Sequence, residues 1–106
     1  GKEVNQISFG DTVLDLDSGE LISGENSIRL SSKEFQMMRL LLKEGKNNIS
    51  KNFFLEKIWG YDSDATENNV EVYIGFLRKK LKSLSSDILI VASRGLGYHL
   101  EKCKDD

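Results

Sequence analysis

A chain of 106 residues with 39% apolar and 30% charged side chains can bury one modest core and has the composition of a soluble globular domain. Its single cysteine, Cys103, excludes an internal disulfide and fits a reducing cytoplasm, and no apolar run approaches the roughly 18 residues of a membrane span. The net charge of −2 argues against a polyanionic partner, yet its distribution is uneven: residues 1–66 hold eight Lys/Arg against eleven Asp/Glu, and residues 67–104 hold seven against four.

Residues 4–30 read as four short strands. Ile7 and Phe9 alternate with polar neighbours, Val13, Leu14 and Leu16 follow the Gly10-Asp11 turn, Leu21-Ile22 follows Asp17-Ser18-Gly19, and Ile28 to Leu30 follows Gly24-Glu25-Asn26. Strands this short form an antiparallel meander that needs cover on one face. Ser31 and Glu34 then fit a capping box, and Phe35, Met38, Leu41 and Leu42 recur at helical spacing before Gly45, which predicts a helix over 32–44. Ser50 opens a second helix, 51–59, whose apolar face is Phe54, Leu55, Ile58 and Trp59. Residues 60–66 are an acidic loop ending in Thr66, a candidate N-cap.

The third helix, 67–84, repeats Val70, Ile74, Leu77, Leu81 and Leu84 at spacings of four, three, four and three. Glu67 and Glu71 stand early and Arg78, Lys79, Lys80 and Lys82 late, as the helix dipole favours. Taken alone, this is an amphipathic helix with a solvated charged face. Residues 88–101 read as a hairpin, Ile88 to Ala92 and Tyr98 to Glu101 about the turn Arg94-Gly95-Leu96-Gly97. Gly95 and Gly97 permit the positive φ of a tight tip. The whole is one α+β domain, residues 4–103: a four-stranded antiparallel sheet, three helices and a C-terminal β-hairpin wing, a winged helix-turn-helix.

Four segments resemble a known family in order and spacing. They are Leu30-Ser31-Ser32-Lys33-Glu34-Phe35, Ile58-Trp59-Gly60, Val70 to Leu81 (V-E-V-Y-I-G-F-L-R-K-K-L), and Arg94-Gly95-Leu96-Gly97-Tyr98. Together they resemble the OmpR/PhoB-type winged-helix effector domain of two-component response regulators, over about residues 7–100. The resemblance implies a bacterial, cytoplasmic transcription factor whose receiver domain is absent from this chain. It implies sequence-specific binding to double-stranded promoter half-sites, with the third helix in the major groove and the wing in the minor groove. It also implies a monomeric isolated domain, a full-length protein that dimerises on DNA, and a loop at Tyr61, Asp62, Ser63 and Asp64 able to touch RNA polymerase. No cofactor is implied. One histidine and one cysteine without clustered metal ligands leave no metal site and no catalytic constellation, so an enzyme is not expected.

The candidate DNA-binding residues are Asn68, Asn69, Val72, Gly75, Phe76, Lys79, Lys82, Arg94 and Tyr98, although the family's usual helix contacts do not transfer to Gly75 and Phe76. At about 100° per residue from Val70, Asn68, Val72, Gly75 and Lys79 fall at roughly 140–200°, opposite the buried stripe, with Phe76 and Lys82 flanking them. Asn68 offers an amide to a base edge or caps and solvates the helix start; Lys79 and Lys82 offer charge to phosphate or guanine; Val72 offers an apolar contact to a thymine methyl. Arg94 suits a narrow, electronegative minor groove. Tyr98 either meets phosphate through its hydroxyl or packs across the strands. Arg78, Glu71 and Tyr73 read as structural groups at the edge of the core stripe. Departures from the family are Gly75 and Phe76, where basic residues are usual, and Ala92, where a threonine hydroxyl is usual. Ser93 points to the other strand face and does not replace that hydroxyl. A helical glycine costs up to about 1 kcal/mol, which suggests close approach of something at Gly75. His99 is expected to be an exposed, inert histidine. The competing reading is a winged helix used mainly for protein–protein contact, favoured by the net negative charge and by Phe76.

Overall fold

Four strands, β1 (Gln6–Phe9), β2 (Thr12–Asp15), β3 (Glu20–Ser23) and β4 (Asn26–Arg29), form an antiparallel meander in the order β1-β2-β3-β4 in the computed structural model, which describes residues 5–61 and 63–103. Val4, where the expected domain begins, lies outside the described residues. Leu14 pairs with Leu21 in register, and both are fully buried. Strand alternation fixes this face, since a slip of one residue would turn both leucines to solvent.

The sheet is covered by helix α1 (Ser32–Glu44), which contributes Met37, Met38, Leu41 and Leu42 to the core. Its capping box forms: Ser31 Oγ accepts from Glu34 N–H at 3.4 Å, and Glu34 Oε1 accepts from Ser31 N–H at 2.8 Å. The same Glu34 carboxylate is buried and paired with Lys80 near the end of the third helix.

Helix α2 (Lys51–Phe54) starts at Ser50, whose hydroxyl accepts from Phe53 N–H at 3.0 Å. Its continuation differs from the expected α-helix. Leu55–Trp59 is a π-helical turn, closed by Gly60 N–H donating to Leu55 O at 2.8 Å. Lys33 Nζ donates to Ile58 O at 3.0 Å and sits 5.6 Å over the Trp59 ring, meeting the carbonyl-rich end of this segment with a cation.

Helix α3 (Glu67–Ser83) buries Val70, Ile74, Leu77 and Leu81. At its start Asn69 Oδ1 accepts from Thr66 N–H at 2.9 Å. Strands β5 (Ile88–Ser93) and β6 (Gly97–Lys102) make the hairpin wing. The α1–α2 connection pairs with it: Ile49 N–H donates to Tyr98 O at 2.7 Å, Tyr98 N–H to Ile49 O at 2.9 Å, and Leu100 N–H to Gly45 O at 2.8 Å. The wing is therefore built against the helix-turn-helix rather than hanging from it. Gly97 lies at this crossing with φ 113°, where a Cβ would come within 1.9 Å of Ile49 O.

The two ends of the fold are stitched by reciprocal bonds. Asp11 N–H donates to Asp87 Oδ1 and Asp87 N–H to Asp11 Oδ1, each at 3.1 Å, and Thr12 Oγ1 meets Ser86 Oγ beside them. His99 departs from expectation. Its side chain is only 12% exposed, with Nδ1 2.9 Å from Asn48 Oδ1 and 3.3 Å from Ser93 Oγ, and Nε2 2.6 Å from Glu101 Oε2. Alternation places Ser93 toward this histidine rather than toward the side of Ala92.

Candidate nucleic-acid interface

Burying one stripe of α3 leaves the opposite stripe outside. Asn68, Val72, Phe76 and Lys79 are exposed and Gly75 is half-buried among them. Val72 and Phe76 keep 43% and 45% of their surface exposed, so the middle of this face is apolar and uncovered by the chain itself. Phe76 is nevertheless held: its ring stands edge-on to Tyr73 at 5.3 Å, and Tyr73 stands edge-on to Trp59 at 5.5 Å. Within the chain nothing approaches Gly75, since a Cβ there would meet no atom within 4 Å. Gly75→Ala is therefore expected to stabilise the domain by about 0.5–1 kcal/mol, read as a rise of a few degrees in Tm.

Beside this face a cleft separates the wing from the starts of α2 and α3. Ser50, Lys51, Asn52 and Glu67 line one side, and Ala92 through Tyr98 line the other. Arg94 and Lys51 bring two cations to it. Lys51 Nζ pairs with Glu71 Oε2 at 3.0 Å, and that bond holds the ammonium more firmly protonated than usual. Ala92 faces the cleft without a hydroxyl, while Leu96 stands 59% exposed at the wing tip.

The structure brings Asn68, Val72, Gly75, Phe76 and Lys79 onto one surface of α3 and sets Arg94 in the wing cleft, which α3 enters with Glu67. Three expected residues are placed otherwise. Asn69 turns its carbonyl oxygen back to cap Thr66. Tyr98 is only 6% exposed, and the Arg78 guanidinium lies 5.9 Å over its ring, so its bulk is packing. Lys82 lines a different groove with Ser85, Ser86, Leu89 and Cys103. Arg78 donates through Nε and Nη2 to Ile90 O at 3.2 and 2.8 Å, fastening α3 to the wing. In the α2–α3 loop Tyr61 is 86% exposed and Ser63 and Asp64 are exposed; Asp62 lies outside the described residues. Lys51 and Leu96 were missed in the sequence, although Lys51 directly follows the Ser50 cap and Leu96 sits inside the Arg94–Tyr98 motif.

Among the described residues no helix is long and apolar enough to cross a membrane, and no group of three or more His, Cys, Asp or Glu side chains is placed to hold a metal ion.

The family described as "Transcriptional regulatory protein, C terminal" matches residues 24–100, more than half of the chain. The transcriptional regulatory protein DltR of Streptococcus agalactiae serotype III (strain NEM316) is 44% identical over 98 residues, which cover 92% of this chain and 44% of DltR. The chain thus spans less than half the length of such relatives. The C-terminal domain of the nisin resistance regulator NsrR, a lantibiotic response regulator, superimposes with TM-score 0.76 at 34% identity, covering 92% of this chain and 99% of that one. The RstA DNA-binding domain of Klebsiella pneumoniae, solved in complex with the RstA box, superimposes with TM-score 0.75 at 27% identity, covering 89% and 94%.

Proposed function

The chain belongs to the family of transcriptional regulatory protein C-terminal domains, and from that membership we propose that it binds double-stranded DNA sequence-specifically, with α3 in the major groove and the β5–β6 wing at the minor groove. The observation that carries this reading is the uncovered face of α3, with Val72 and Phe76 held out to solvent between Asn68 and Lys79, beside a cleft that presents Arg94 and Lys51. A helix of this diameter fits the major groove, and cations on either side of it meet the phosphate backbone. The helix-turn-helix and the wing are joined through Ile49 and Tyr98, so they meet DNA as one body.

In the full-length protein, tandem half-sites bring two such domains together. The exposed Tyr61 and Asp64 of the loop before α3 face away from the core and offer RNA polymerase a contact. The exposed Phe76 also supports a second reading, docking of a protein partner on α3. The cytoplasm is the compartment that suits a promoter-binding protein.

Fluorescence-anisotropy titration of a promoter duplex tests the assignment. Lys79→Ala and Arg94→Ala are each expected to weaken binding about tenfold and to flatten the log–log salt slope by about one unit per lost phosphate contact. Both sites are exposed, so Tm should hardly change. Unaltered affinity and slope in both variants, with α3 amide shifts that answer only to a protein ligand, would favour the second reading instead.

A further inference from the structure

We infer that the centre of the bound half-site is read through thymine C5-methyl groups by Val72 and Phe76, across the side-chain-free turn at Gly75, so that the preferred duplex carries thymines about two base-pair steps apart. This rests on the DNA-binding reading above.

On the exposed face of α3, Val72, Gly75 and Phe76 lie between the hydrogen-bonding side chains of Asn68 and Lys79. The exposed Glu71 and Arg78 at its edge are engaged elsewhere, Glu71 by Lys51 Nζ at 3.0 Å and Arg78 by Ile90 O. An apolar side chain cannot answer the donors and acceptors that mark the other base edges of the major groove. It can answer the one apolar mark there, the methyl of thymine. The centre of this face therefore discriminates by contact and by rejection: bases with unmet polar edges lose their water against Val72 and Phe76 without gaining a partner.

Spacing and rigidity support the same assignment. Val72 and Phe76 are four residues apart, about 6 Å along the helix axis. Successive bases of one strand are about 3.4 Å apart, so the two side chains meet positions about two steps apart. The Phe76 ring is braced by Tyr73 at 5.3 Å, itself braced by Trp59 at 5.5 Å, so little rotamer freedom is left to lose on docking. Gly75 lacks a side chain where a Cβ would meet nothing in the chain, and that gap lets the helix backbone lie close against the base edges.

The test uses this 106-residue chain to select duplexes from a random pool. The best duplex is then titrated with each dT replaced singly by dU, which removes only the methyl. Two replacements about two steps apart should each weaken binding about fourfold, the effect of one buried methyl. Phe76→Ala should erase the dU penalty at one of these positions and leave the other, and Val72→Ala should do the reverse. Gly75→Ala should melt higher than the parent and yet bind at least threefold more weakly. A well-defined selected site in which every dU is tolerated would overturn methyl readout and leave DNA binding standing. Recovery of no preferred duplex would overturn both.

Discussion

Gly97→Ala is expected to remove about 4 kcal/mol of stability, which for a domain of this size lowers Tm by roughly 15–20 °C. Two effects add. At φ 113° an alanine is strained by about 1–2 kcal/mol. Its Cβ would also lie 1.9 Å from Ile49 O and 2.8 Å from Ser50 Cα, so the α1–α2 connection must withdraw. Withdrawal breaks the two hydrogen bonds between Ile49 and Tyr98, each contributing about 1 kcal/mol, and unseats the core side chains of both residues. Gly95→Ala is the control. Gly95 has φ 77° but nothing within 4 Å of its would-be Cβ, so only the conformational cost of about 1 kcal/mol remains. Equal melting temperatures for the two variants would mean that the close backbone crossing carries no weight.

Glu34→Ala should cost about 2–3 kcal/mol by chemical denaturation, the second largest effect. The substitution removes half of the α1 capping box, about 1 kcal/mol, together with the ion pair to Lys80. Losing one member of a wholly buried pair costs more, about 3–5 kcal/mol. Here the Lys80 side chain is 26% exposed and can turn to water, which lowers the penalty. The pair also sets an acid limit. Burial by itself would raise the Glu34 carboxyl above its ordinary 4.5, but the Lys80 ammonium and the Ser31 N–H outweigh burial and hold it lower. A carboxyl depressed in the folded state contributes its full stabilisation above 4.5 and loses it as pH falls through the lowered value. The stability difference between the parent and Glu34→Gln should accordingly be largest near neutrality and shrink below about pH 4. A difference that stays constant across that range would show that the charge of Glu34 contributes nothing.

The parts of the fold that sequence foretells are those set by neighbours in the chain. The Ser31–Glu34 cap lies within one turn, and the Val70–Leu81 stripe is a local period; both needed only helix geometry to be read. The π turn at Leu55–Trp59 escaped, because Phe54 and Ile58 satisfy an α-helical spacing as well, and the Lys33 contact to Ile58 O comes from another helix. His99 escaped for the same reason: nothing near it in sequence announces Asn48. The burial of Tyr98 was readable, since strand alternation puts it on the same side as the fully buried Leu100. At the candidate interface the outward face of α3 was readable from its angles, whereas Lys51 became part of the wing cleft only through the Ile49–Tyr98 pairing.

That pairing, with the stitches at Asp11–Asp87 and Thr12–Ser86, has a consequence for how the domain is made. The stitches join residues 76 and 74 positions apart, so the first strands of the chain are fastened by groups near its end. Closing such loops is entropically slow, and topology of this kind delays the folding barrier until distant segments meet. On a ribosome, α1 can form from its own cap as it emerges, but the meander stays unanchored until Asp87 is clear of the exit. The wing waits longer, for Tyr98 and Leu100 to reach Ile49 and Gly45. The surface proposed to meet DNA is thus completed only after the wing residues themselves have been synthesised.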